Sequence, residues 1–178
     1  MMITKPNWAG RTLAGKSAAF AALAVCGLLG SAAVGGAPAA RAQGAAPAGC
    51  TGTASATWIS IDVQGVRSAA GEIALTFYPD NSRRFLMRNS SLFVARVPAR
   101  AGTTHTCIFV PAPGVYAIAV YHDANGDHNL NRSGIGFPTE AYGFSNNPTT
   151  FVGLPAFRSV RLNIPRAGLN THITLKYP

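Results

Sequence analysis

In the stretch HDANGDHNLN, Asp123, Asn125, Asp127, Asn129 and Asn131 place a side-chain oxygen at every second residue, and His122 and His128 flank the run. Hard oxygens so spaced suit calcium if the backbone curls around the ion, and Gly126 supplies the bend. Asp123, Asn125 and Asp127 follow the first half of an EF-hand-like loop. The second half departs from it: His128 stands sixth, where a turn glycine belongs, and Gly134 twelfth, where a bidentate glutamate belongs. Glu140 is the further carboxylate able to reach back. The expectation is a weak calcium site built from Asp123, Asn125, Asp127, Asn129, Asn131 and Glu140. The same residues also read as Asx turns, in which Asn and Asp bond their own backbone with no metal at all. His122 and His128 would permit zinc or general-base chemistry if they converged on one carboxylate. Consecutive strand positions face opposite ways, however, which separates His122 from Asp123. Ser145, His105 and His172 stand apart in the sequence and form no nucleophile-base arrangement.

The elements that must hold this cluster are read from periodicity. From residue 57, Thr57, Ile59, Ile61 and Val63 alternate with Trp58, Ser60, Asp62 and Gln64, a half-buried strand. Further runs with strand character are Glu72–Tyr78, Ser91–Val97, Thr104–Val110, Gly114–His122, Phe157–Ile164 and Leu169–Tyr177, seven in all. Pro79-Asp80-Asn81, Pro98, Pro111-Ala112-Pro113-Gly114 and Pro165-Arg166-Ala167-Gly168 punctuate them. No helical stripe appears, so an all-β fold, a single β-sandwich of about seven strands, is expected over 57–178. VYAIAVYHD is nearly continuous in apolar residues and reads as a central strand, whereas RSVRLNI alternates and reads as half-exposed. Between them runs a connection from Asp123 to Phe151, long enough to be functional. Ile135, Phe137, Tyr142 and Phe144 are its expected apolar anchors, packed on one end of the sandwich.

Lys5, Arg11 and Lys16 precede the uncharged run SAAFAALAVCGLLG, and an Ala/Gly/Pro tract then ends in Ala40-Arg41-Ala42. This is the order of a secretory signal peptide over 1–42, with a mature start near Gln43, a segment 43–56 and one domain beyond. The apolar run is too short to span a bilayer, so no transmembrane span is expected in the mature chain. Cys26 falls in the leader; it lies in LAVC, where Val25 is larger than a lipoprotein signal prefers. Cys50 and Cys107 remain as an even pair, and in an oxidising compartment a disulfide between them is expected. Four of the fifteen basic residues belong to the leader. Those that remain are dispersed apart from Arg83, Arg84 and Arg88, with no aromatic interleaving, which argues against nucleic-acid binding.

The run PGVYAIAVYHDANGDHNLN, followed by GIGFPTEAYGFSNNP and PAF, resembles the DUF2141 family of uncharacterised exported bacterial proteins. His122, Asp123, Asn125, Gly126, Gly136, Pro138, Glu140 and the run Tyr142 to Asn147 match its pattern. Asp127 stands where the family has asparagine, Asn131 where it has aspartate and Ala141 where it has glycine, so one carboxylate is moved. The resemblance implies a small transthyretin-like or immunoglobulin-like sandwich with no assigned activity. Two functions of different class follow from the residues. One is a noncatalytic periplasmic or secreted sandwich binding an envelope or extracellular ligand or partner through the 123–151 loop, with His122, Tyr142, Phe144, Asn146 and Asn147 in contact. The other is a metal-dependent hydrolase of an envelope polymer using Asp123, Asp127, Glu140 and His122, which requires these groups to converge on a cleft.

Overall fold

The computed structural model describes residues 44–149 and 154–178. The expected leader over 1–42, with its expected cleavage after Ala42, lies outside the described residues. Among the described residues the chain forms eight strands in two sheets: β1 (Thr57–Val66), β2 (Glu72–Pro79), β3 (Phe93–Pro98), β4 (Gly102–Val110), β5 (Gly114–Asp123), β6 (Tyr142–Phe144), β7 (Arg161–Ile164) and β8 (Leu169–Thr174). One sheet has the order β4-β1-β8, with β1 antiparallel to β4 and parallel to β8. The other runs β3-β2-β5-β6, with β7 also paired to β5. No helix among the described residues is long and apolar enough to cross a membrane.

The alternation on β1 turns Ile59, Ile61 and Val63 fully inward. They meet Ile108 and Val110 of β4 and Ile173 of β8, and across the sandwich Ile73, Leu75 and Phe77 of β2 and Tyr116, Ile118 and Val120 of β5. This is the main core. β5 is central as its composition requires, since it pairs with β2 from Tyr116 to Asp123 and with β6 and β7 on its other edge. Its outward residues are also apolar, so the five-stranded sheet carries a second cluster on its outer face, formed by Tyr78, Ala117, Phe144 and Val160 with Phe85, Leu86, Tyr142 and Phe157 packed against them.

Two expectations are refined. The run 157–164 divides into one helical turn, α1 (Phe157–Val160), and the short strand β7. Ser159 holds that turn through its amide and hydroxyl, both bonded to the Ala156 carbonyl at 3.0 and 2.7 Å. The long connection contains β6, three residues that no alternation could announce. Cys50 and Cys107 are bonded as expected, with Cα atoms 4.4 Å apart, and tie the segment before β1 to β4. Thr51 continues that attachment by exchanging backbone hydrogen bonds with Cys107 and Phe109.

Candidate functional site

The last residue of β5 organises the loop that follows. Asp123 is fully buried, and its Oδ1 accepts the amides of Gly126 and Asp127 at 2.8 and 3.1 Å while Oδ2 accepts that of His128 at 2.8 Å. A carboxylate receiving three amides is the anion at the centre of a backbone nest. Gly126 and His128 have positive φ of 73° and 65°, which lets the chain wrap around it. Gly71 lies against the same turn with φ +67°, and a Cβ there would fall 1.9 Å from the Asp123 carbonyl oxygen. Only glycine fits.

Register supplies the rest of this cluster. Glu72 faces Asp123 across β2 and β5, and Arg96 of β3, opposite Ala74, stands two residues along on the same face. Arg96 Nη1 donates to Glu72 at 2.7 Å and lies 3.4 Å from Asp123 Oδ2, while Nη2 reaches the Tyr121 hydroxyl and the His128 carbonyl, each at 3.3 Å. His128 Nε2 lies 3.2 Å from Glu72. Glu72, Asp123 and His128 are the one such trio among the described residues with ligating atoms gathered within 4.8 Å, and the Arg96 guanidinium already sits among them.

The remaining loop carboxylates bond partners of their own. Asp127 accepts from the Asn129 amide and the Asn125 side chain, at 2.8 and 2.9 Å. The Asn129 amide foremost, then Asn125, holds its carboxyl below the usual carboxylate range. Glu140 braces the loop from its far end, accepting the amides of Ala124 at 3.3 Å and Asn131 at 3.0 Å. His122 is buried on the opposite face of β5, with Nε2 2.8 Å from the Ala70 carbonyl. Asp123, Asp127, Glu140 and His122 therefore stand in separate settings.

The motif YGFSNN divides between two tasks. Ser145 is fully buried and bonds the Ile118 amide at 3.1 Å and the Val160 carbonyl. Asn146 donates to the Arg161 carbonyl at 2.7 Å, and Asn147 takes the Thr174 amide at 2.7 Å and donates to the His172 carbonyl at 3.1 Å. Both asparagines adopt positive φ, 63° and 47°, a conformation they tolerate better than most residues. They are clamps between β6, β7 and β8.

Tyr142 and Phe144 do face open space. Opposite residues on β2, β5 and β6 share a face, which sets Ala74, Tyr121 and Tyr142 in one row and Thr76, Ala119 and Phe144 in the next. Small residues form a floor, and Tyr78, Tyr121, Tyr142 and Phe144 stand around it as walls. The chain between β5 and β6 contributes Leu130, Arg132 and Phe137, and Leu86 and Leu154 complete the enclosure of a cavity of about 380 Å³. Phe137 and Leu154 are more than half exposed at its rim, and Ile135, expected as an anchor, is 82 % exposed. Arg132 donates to the Gly136 carbonyl at 3.0 Å and places a cation at the same rim. Burial pushes the Tyr78 and Tyr121 hydroxyls above the ordinary tyrosine value, so both are neutral donors at neutral pH.

Sequence reasoning found Tyr142 and Phe144 but missed Thr76, Tyr78, Leu86, Leu130 and Arg132, and it missed Glu72 and Arg96 beneath the loop. The available signal was the double-sided apolarity of EIALTFYP and VYAIAVYHD. A family of bacterial proteins, DUF2141, described as "Uncharacterized protein conserved in bacteria", matches residues 61–173. No curated protein and no solved structure matches the chain.

Proposed function

This chain belongs to the DUF2141 family, and on that footing we propose that it is an exported, noncatalytic binding module that takes a small, mainly apolar ligand of the cell envelope or its surroundings beneath the loop after β5. The cavity walled by Tyr78, Tyr121, Tyr142 and Phe144 is the observation that carries this reading. Its volume falls in the range of small-molecule sites, and its make-up, a mainly apolar lining with tyrosine and threonine side chains among it, is their usual one. The floor of Thr76 and Ala119 leaves room for a flat ring or an acyl segment. Arg132 at the rim favours a ligand with one anionic end.

An anionic aromatic dye, anilinonaphthalene sulfonate, tests both features. Saturable binding at one site is expected, lost in Ala119→Phe, which fills the floor, and weakened in Arg132→Gln. Circular dichroism melts establish that each variant is folded. Undiminished dye binding by a folded Ala119→Phe protein would remove the cavity from consideration.

A calcium ion at the loop is a second proposal, resting on Asn131. Its Oδ1 is buried without a hydrogen-bond donor, and its side chain also bonds the Asp127 carboxylate. An unpaired buried oxygen next to an anion suits a hard cation. Because Asp123 is enclosed by amides, Asp127→Ala is expected to lower calcium affinity more than Glu140→Gln in a calorimetric titration. No heat at several times millimolar calcium would leave the hydrogen-bonded turn as the whole account.

A further inference from the structure

The face of the three-stranded sheet that points to solvent brings together three residues that the sequence scatters. Asp62 of β1 is opposite His105 on β4 and opposite His172 on β8. His105, Asp62 and His172 therefore form one row across three adjacent strands, with His105 and Asp62 largely exposed and His172 exposed beside them. Neighbouring strands lie about 4.8 Å apart and their side chains stand off the sheet, so the two histidines occupy the strands on either side of the carboxylate. His105 already bonds it, whereas the ligating atoms of all three are not gathered within 4.8 Å and the exposed His172 side chain must turn toward the other two.

We propose that the row His105–Asp62–His172 is a binding site for a divalent transition-metal ion of the zinc class. Two imidazoles and one carboxylate are the protein ligands of many open zinc sites, with the remaining position left for water. His105 Nδ1 already lies 2.7 Å from Asp62 Oδ1. Metal bonds of about 2.1 Å at a tetrahedral angle separate two ligand atoms by about 3.4 Å, so a shift of roughly 0.7 Å lets an ion replace the shared proton. His172, exposed on β8 in register with Asp62, closes the set by rotating its side chain toward the ion.

The surroundings favour a cation. In the row on one side stand Ser60, Cys107 and Asn170, and on the other Gln64, Thr103 and Thr174, all uncharged. No lysine or arginine stands in either row of a chain that has fifteen. The second carboxylate-histidine group, Glu72, Asp123 and His128, differs on this point because Arg96 is already its cation. A recess of about 440 Å³ opens beside Asp62 and His105, bounded by Gly49, Thr51 and Thr106, and leaves the remaining coordination positions accessible.

Zinc chloride titrated into the full disulfide-bonded chain, followed by calorimetry and by the histidine ring signals in NMR, tests the site. One equivalent is expected to move the His105 and His172 signals and leave that of His122 in place. His172→Ala and His105→Ala should each weaken binding by about tenfold or more, whereas His128→Ala should not. These are surface positions, so the variants are expected to fold. Zinc that moves the His128 signal instead, or binds His172→Ala as tightly as wild type, would overturn the proposal.

Discussion

Asp123 commits both of its oxygens to the backbone that follows it, and this makes one side chain the keystone of the neighbourhood that runs from it to Glu140. Replacing it by alanine leaves the Gly126 and His128 amides without their acceptor, the Asp127 amide with Asn125 Oδ1 alone, and Arg96 with one carboxylate fewer. A loss of about 3 kcal/mol in urea unfolding is expected, since each buried amide left unpaired costs on the order of 1 kcal/mol or more. A loss below about 1 kcal/mol would mean that water takes over the freed amides. How much of this was legible follows from distance along the chain. The alternation of Asp123, Asn125 and Asp127 announces a turn built on side-chain oxygens, because such turns are local. Arg96 and Glu72 are invisible at that range: they reach Asp123 through the register of three strands, and a shift of one residue would turn them to the other face.

Among the described strands β6 is the shortest, and it bridges both sheets. Tyr142 exchanges backbone hydrogen bonds with Lys176 at 3.0 and 2.8 Å while β6 pairs with β5 on its other side, so these few residues join the two sheets. Gly143 permits the approach, since a Cβ there would lie 2.8 Å from the Thr174 carbonyl oxygen. Asn147 completes the corner, and Asn147→Ala is expected to cost about 1 to 2 kcal/mol by thermal or chemical unfolding while leaving dye binding in the cavity unchanged. Loss of dye binding with stability intact would instead place Asn147 in contact with ligand. The sequence motif was legible as unusual, but its division of labour was not. Tyr142 and Phe144 point outward and Ser145 to Asn147 bond inward, a distinction that depends on a strand too short to show a period. The turn at Phe157–Val160 was hidden for a related reason: four residues alternate equally well in a strand or a single helical turn.

At the scale of the whole molecule the all-β sandwich was the most legible feature, because long strands such as β1 repeat the same two-residue alternation many times and turns rich in proline and glycine separate them. The cysteine pair was legible from parity alone. Its bond spans 57 residues, so reduction is expected to lower stability by about 4 kcal/mol on a chain-entropy basis, read as a fall in urea midpoint with dithiothreitol. An unchanged midpoint would show that the segment before β1 contributes nothing to the folded state's advantage. The parallel pairing of β1 with β8 bears on time. Gln64 and Thr174, partners in that pair, are 110 positions apart, so β1 acquires one of its two neighbours only when nearly all the intervening chain is available. Such distant closure slows folding, because chain entropy is lost before the contact is gained. A chain that leaves the ribosome first residue first thus carries β1 with one open strand edge until β8 arrives.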